Sequence, residues 1–329
     1  MRIIFFKRQR TARTPDFYRK ARKLCEGGVT LVELMATMMI SVGLIAAVGS
    51  LYFGSKTSYR INENQLRLQQ DGRYAMQLME LNLRQAGFGH LTSASVNAAE
   101  VDKTDFVGLN GKPGQGLRGC DSGFTKPLSH GFVCNSSDEG AAAFEVAYRV
   151  ADTFDFDNGA GADCNGSQAG VVALPESHPG YSASKAVAIA SNRFFVATPS
   201  GRKTTSLYCQ GNSGNGRSIA QPILNNVENM RLVFGVAAID GFSVKQFLTA
   251  TQVDGLSPDQ HQNWKRVVRV KLCLQLHASE RNASTPQRYV DCDGVEQMAT
   301  DGKLRTVMTS IVTLRNNAAT TQSEPTWPS

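Results

Sequence analysis

The sequence predicts an α+β protein: a long N-terminal α-helix, with a membrane-spanning first half, packed on a mainly antiparallel β-sheet body. Three observations carry that prediction. An apolar run from Val29 to Phe53 continues, with no proline before Gln85, into residues of helical spacing. Several later segments alternate apolar and polar side chains with a period of two, the pattern of a half-buried strand. No βα unit repeats among them, so strands that follow a single helix indicate segregated helix and antiparallel sheet.

Residues 1–28 come first. They hold nine Lys or Arg against two acids, Asp16 and Glu26, a net charge of +7. The whole chain also carries +7, so everything after residue 28 is neutral. The high pI is therefore a topology signal: by the positive-inside tendency the basic leader stays cytoplasmic and the remainder is exported. It gives no support to nucleic-acid binding by the folded body, and no such partner is expected.

The 25 residues from Val29 to Phe53 suffice to cross an apolar layer of ~30 Å. Gly43 and Gly49 within the run are small enough to let helices approach closely. Glu33 is the physical oddity, because an acid inside a membrane segment costs about 3 kcal/mol unless a cation meets it. Cleavage after Gly28 would supply one. Val29 would become a new amine and Glu33 the fifth residue, about 6 Å further along a helix axis. An ordinary secretory signal carries its small-residue cleavage site after the apolar region, whereas Gly27 and Gly28 precede it.

Past Ser55 the chain turns polar, yet Ile61, Leu68, Ala75, Met79, Leu83 and Ala86 stay near one helical face. A single helix from about Val29 to Ala86, roughly 87 Å long, is the economical reading. Its second half then needs the globular body to cover that stripe. Gly87 and Gly89 mark the exit. Residues 90–140 are rich in Gly, Ser, Asn and Asp and read as a long loop region stapled by cysteine. Strands are expected at Phe144 to Val150, Val171 to Leu174, Ala186 to Ala190, Arg193 to Thr198, Ser206 to Cys209, Met230 to Ala238, Val268 to His277 and Leu304 to Arg315. The expected organisation is a leader (1–28), the helix (29–86, transmembrane over 29–53), a globular domain (87–319) and a loose tail (320–329).

Seven cysteines are present, and Cys25 lies in the leader. The six that remain, Cys120, Cys134, Cys164, Cys209, Cys273 and Cys292, form an even set in an exported body, which suggests up to three disulfides. Six cysteines allow ~15 pairings; pairing each with its neighbour closes the shortest loops. No C-x-x-C is present, which leaves zinc and thioredoxin-like chemistry without support.

Gly28 followed by Val29-Thr30-Leu31-Val32-Glu33-Leu34 resembles the class III signal of type IV prepilins, in which a membrane aspartyl peptidase cuts after the glycine and methylates the new amine. Val29 stands where phenylalanine is usual. Further along, Gln69 to Met76, Leu81 to Phe88, Pro222 to Met230 and the ending Leu314-Arg315-Asn316 resemble minor pilins of the PilW family. The resemblance implies a pilin-like, lollipop-shaped fold, cleavage between Gly28 and Val29 with methylation of Val29, and a role for Glu33 in docking the subunit into a filament. It also implies the partners: a prepilin peptidase, other minor pilins, the major pilin and the inner membrane, with the body periplasmic before it reaches the cell-surface pilus. The expected role is pilus initiation or assembly near the tip. A type II secretion pseudopilin of the J class shares the plan, and a pilus-associated adhesin is a third reading.

Motifs for other chemistry fare poorly. Gly114-Gln115-Gly116-Leu117-Arg118-Gly119 fits G-x-G-x-x-G but leads into Cys120-Asp121-Ser122-Gly123, whereas a dinucleotide site needs a helix there. That Asp-Ser-Gly faintly resembles a protease nucleophile region, yet no histidine motif precedes it to activate a serine. His90, His130, His178, His261 and His277 are scattered. Asp155-Phe156-Asp157-Asn158-Gly159 could offer calcium oxygens, although the same residues dominate ordinary turns. Neither an enzyme activity nor a cofactor is expected.

Overall fold

The computed structural model describes residues 28–89, 116–127, 132–137, 139–150, 162–173, 186–199, 201, 204–212, 220–238, 243–281 and 285–318. The leader up to Gly27, the 90–115 part of the expected loop, the acids Asp155 and Asp157 and the tail from 320 lie outside these residues. The chain divides into two units between Lys56 and Thr57.

Helix α1 runs through Leu31–Gln85 without interruption. It starts at Leu31 because Thr30 acts as its cap, the hydroxyl accepting from Glu33 N–H at 3.3 Å. In the first unit its residues are almost all exposed and apolar, with a window of mean hydropathy 2.2 that passes as a candidate membrane span. In the second unit Leu68, Ala75, Met79, Leu83 and Ala86 are buried, the face that the spacing predicted, and Ile61 is half-buried. Gly87 ends the helix at φ 69°, a conformation that favours glycine. Asn316 completes the end, its amide donating to the Ala86 carbonyl at 3.0 Å.

The strands are β1 (Leu117–Cys120), β2 (Ala143–Arg149), β3 (Gly170–Ala173), β4 (Ala186–Ala197), β5 (Ser206–Gln210), β6 (Ala220–Asn225), β7 (Val227–Ala237), β8 (Val244–Leu248), β9 (Val267–Arg281), β10 (Gln287–Val290), β11 (Glu296–Ala299) and β12 (Lys303–Thr313). Short helices α2 (Ala250–Asp254), α3 (Gln260–Lys265) and α4 (Arg315–Ala318) complete the described elements. One sheet has the order β1-β2-β4-β5-β6 with β3 also on β4, a second β12-β9-β7-β8, and β10-β11 is a hairpin. Every pairing is antiparallel. The body is therefore the α+β architecture expected, with the second half of α1 in the main core beside Phe144, Phe194, Leu232, Phe234 and Leu272.

Two expectations need correction. Ala186 to Ala190 and Arg193 to Thr198 are one strand, because Asn192 between them buries its side chain in hydrogen bonds and gives no break. The 90–140 stretch is not all loop: β1 pairs with β2 and places Leu117 in the core.

Candidate assembly surface

Gly28, Val29 and Thr30 lie just before α1, outside any helix or strand, and are exposed. A Cβ at Gly28 would meet no atom of the described residues within 4 Å. Glu33 sits in the first turn of α1. That turn has unsatisfied N–H groups and the positive end of the helix dipole, both of which favour a carboxylate. The structure thus places Gly28 and Val29 immediately before α1 and Glu33 in its first turn, where the helix end itself attracts a carboxylate. The signal for it was readable: Thr30 three residues before Glu33 is the spacing of a capping box.

In the second unit α1 also has exposed apolar side chains. Tyr59, Leu66, Tyr74 and Leu81 are between 51% and 69% exposed. At about 100° per residue they fall roughly opposite the buried stripe. The helix therefore has one apolar face, covered by its own body, and on the far side four exposed large apolar side chains set among Glu63, Gln70, Gln77 and Arg84. Steps of seven and eight residues between the four keep them on that side.

The cysteines join in neighbour pairs: Cys120 with Cys134, Cys164 with Cys209 and Cys273 with Cys292, at Cα separations of 5.3, 6.4 and 5.6 Å. Each fastens an irregular segment to a strand. Cys120 on β1 holds the 132–134 segment, Cys209 on β5 holds the Asp163 turn, and Cys273 on β9 holds the tip of the β10-β11 hairpin.

Polar side chains elsewhere are engaged in fastening the fold. Asp121, from the Asp-Ser-Gly that invited a protease comparison, caps α2, accepting from Ala250 N–H at 2.8 Å and from Thr251 N–H at 2.9 Å. The second half of the G-x-G-x-x-G motif is strand β1, without the helix that a dinucleotide site requires. Asn192 donates to Asn82 on α1 at 2.6 Å and to the Tyr148 hydroxyl at 3.2 Å. Burial pushes the Tyr148 phenol up, against the Asn192 hydrogen bond. Arg305 forks onto Glu228 at 2.8 and 3.0 Å and reaches Asp301 at 2.7 Å. Its hydrogen bond holds the Asp301 carboxyl well below the usual carboxylate range. Among the described residues no group of three or more His, Cys, Asp or Glu is arranged to hold a metal ion.

Three comparisons bear on identity. No curated protein matches the chain. A solved structure that resembles it, the type IV-like pilin TTHA1219 from Thermus thermophilus, is 11% identical, with a TM-score of 0.38, over 76% of this chain and 97% of that one. The family described as Type IV Pilus-assembly protein W, PilW, matches residues 193–316, from the middle of β4 through β12 to the start of α4. That stretch includes Pro222 to Met230 and Leu314 to Asn316, two of the segments that resemble minor pilins of the PilW family, and the match to that family covers 124 of the 329 residues.

Proposed function

We propose that this chain is a minor pilin of a type IV pilus, cleaved after Gly28, methylated at Val29, held in the inner membrane by Val29 to Phe53 with its body in the periplasm, and then built into the filament near its tip. The observation that carries the reading is the set of four large apolar side chains left exposed on the far side of α1. A helix that only packed on its own body has no use for them there. Tyr59, Leu66, Tyr74 and Leu81 offer apolar contacts, among polar neighbours, that a neighbouring subunit's helix fits, and the run of residues 31–53 is almost all exposed and apolar as well. Glu33 at the start of that run is the group that a neighbour's new amine would meet.

The matched family's description, a pilus-assembly protein, favours this over type II secretion. An initiating role suits a subunit whose helix leaves apolar side chains exposed and whose body, from Thr57 on, is large. The test is the pair Leu66→Glu and Tyr74→Glu in cells that make pili. Both changes lie on the exposed face, so the chain stays folded and abundant while surface piliation falls at least tenfold. Unchanged piliation with both substitutions overturns the reading.

A further inference from the structure

Strand β12 is an edge of the four-stranded sheet, met at its Arg305 end by the β10-β11 hairpin and exposed at Thr309, Ile311 and Thr313. Two bonds show which backbone groups face outward. Leu314 N–H donates inward to the Val268 carbonyl of β9 at 2.9 Å. Arg305 faces the other way: its N–H donates to the Gln287 side chain at 2.6 Å, and its carbonyl accepts from the same amide at 3.0 Å. Backbone groups alternate in direction along a paired strand. Val307, Thr309, Ile311 and Thr313 therefore present N–H and C=O to the edge, and among the described residues no backbone group pairs with them there.

Native edges are normally blunted by charge, proline or a bulge. Residues Thr306 to Thr313 read Thr-Val-Met-Thr-Ser-Ile-Val-Thr, without a charge or a proline. The register shift lies before Arg305, and the hairpin's Gln287 covers Arg305 alone. Alongside runs an open groove of about 450 Å³ between Arg73, Met76 and Glu80 of α1 and Met308 to Ser310 of β12. On the solvent face, Ile311 lies opposite Lys271 and Thr313 opposite Arg269. Both cations are exposed, and neither has an ion-pair partner among the described residues.

We propose that the β12 edge accepts an extended strand from a neighbouring, different protein subunit, acidic on its solvent side and small and apolar on the side toward Met76 and Met308. Four N–H and four C=O groups in register supply the affinity, and the alternate side chains supply the choice of partner. The acids meet Lys271 and Arg269. A second copy of this chain would bring another β12 without any acid between Thr306 and Thr313, leaving those two cations unanswered. The partner's being a subunit rests on the pilin reading; the open edge does not.

The test places a photo-crosslinking benzoylphenylalanine at Ile311 or, separately, at Leu66 of the full chain in piliated cells, with the joined peptides sequenced by mass spectrometry. The Ile311 probe is expected to join an acidic, strand-forming peptide of a different subunit. Thr309→Pro, which removes an outward N–H that the sheet does not use, lowers that yield at least tenfold, and Thr309→Ala leaves it. If Thr309→Pro does not fold, Arg269→Glu with Lys271→Glu replaces it, with the same tenfold loss expected. A crosslink from Leu66 with none from Ile311 overturns the strand proposal and leaves the pilin reading standing. Silence at both positions overturns the two together. A product between two copies of this chain, or one that survives Thr309→Pro in a folded chain, also overturns the strand proposal.

Discussion

Asn192 is fully buried, and its side chain ties three parts of the chain together. Its amide donates to Asn82 on α1 and to Tyr148 on β2, and its oxygen accepts from Cys164 N–H at 2.9 Å. Asn192→Leu leaves those groups dry and unpaired, which costs about 1–3 kcal/mol. Denaturant unfolding of the full chain in detergent checks this, and a midpoint equal to the parent's would contradict it. His261 links stability to pH in the mildly acidic range. Burial first, and then Lys265, push its imidazole down to about 4, and its Nε2 is buried without a hydrogen-bond partner. The folded chain therefore refuses a proton that the unfolded chain accepts near pH 6.5. This contribution is fully present above about pH 6.5 and is lost as pH falls toward 4. Asp301 and Asp291, both held below their ordinary value, add a separate loss below about pH 4. His261→Gln is expected to flatten the thermal-stability profile between pH 4 and 6.5 while leaving the lower limb in place. A profile that superimposes on the parent's contradicts the assignment.

At the scale of elements, much was legible where one periodicity held over many residues. The buried face of α1 followed from Leu68, Ala75, Met79 and Leu83, and β9 from the alternation beginning at Val268, because each packs one side on a core. What escaped was short or decided at a distance. Strand β6 contains Pro222, which argues against a strand except at an edge, and β6 is an edge. Helix α2 has only five residues, although Thr249 and Gln252 form a capping box that sequence reading had available. The β10-β11 hairpin is anchored by the Cys273–Cys292 bond, 19 positions apart, and its Gln287 amide is engaged by Arg305, 18 positions further on, so neither link shows in a local pattern. The disulfides differ in the loop each closes, with sequence separations of 14, 45 and 19 for the first, second and third pairs. In the loop-entropy account each contributes about 3–4 kcal/mol, the Cys164–Cys209 bond most. Paired Cys→Ser replacements should rank in that order by thermal unfolding, and a Cys164–Cys209 pair with the smallest effect would contradict the account.

For the whole molecule, the pieces agree on a division of labour. The apolar first part of α1 is exposed along its length, as a segment made for lipid or for other helices is. The second part has one face in the core and leaves Tyr59, Leu66, Tyr74 and Leu81 exposed on the other. Reducing the disulfides should loosen the body's peripheral segments before its core, since each bond fastens an irregular segment to a strand whereas Leu68 to Ala86 of α1 are held among the strands by apolar packing. The candidate site was legible in part. Gly28, Val29 and Glu33 stood out because charge, small residues, an acid and an apolar run occur in a fixed order, whereas Tyr59, Leu66, Tyr74 and Leu81 are known to be bare only once the body is seen to cover the opposite face. The most direct measurement is the intact mass and amino-terminal peptide of the mature chain purified from its own membranes. The account predicts a chain that begins at Val29 and carries one methyl group on its amine. A mature chain that still contains residues 1–28 would contradict it.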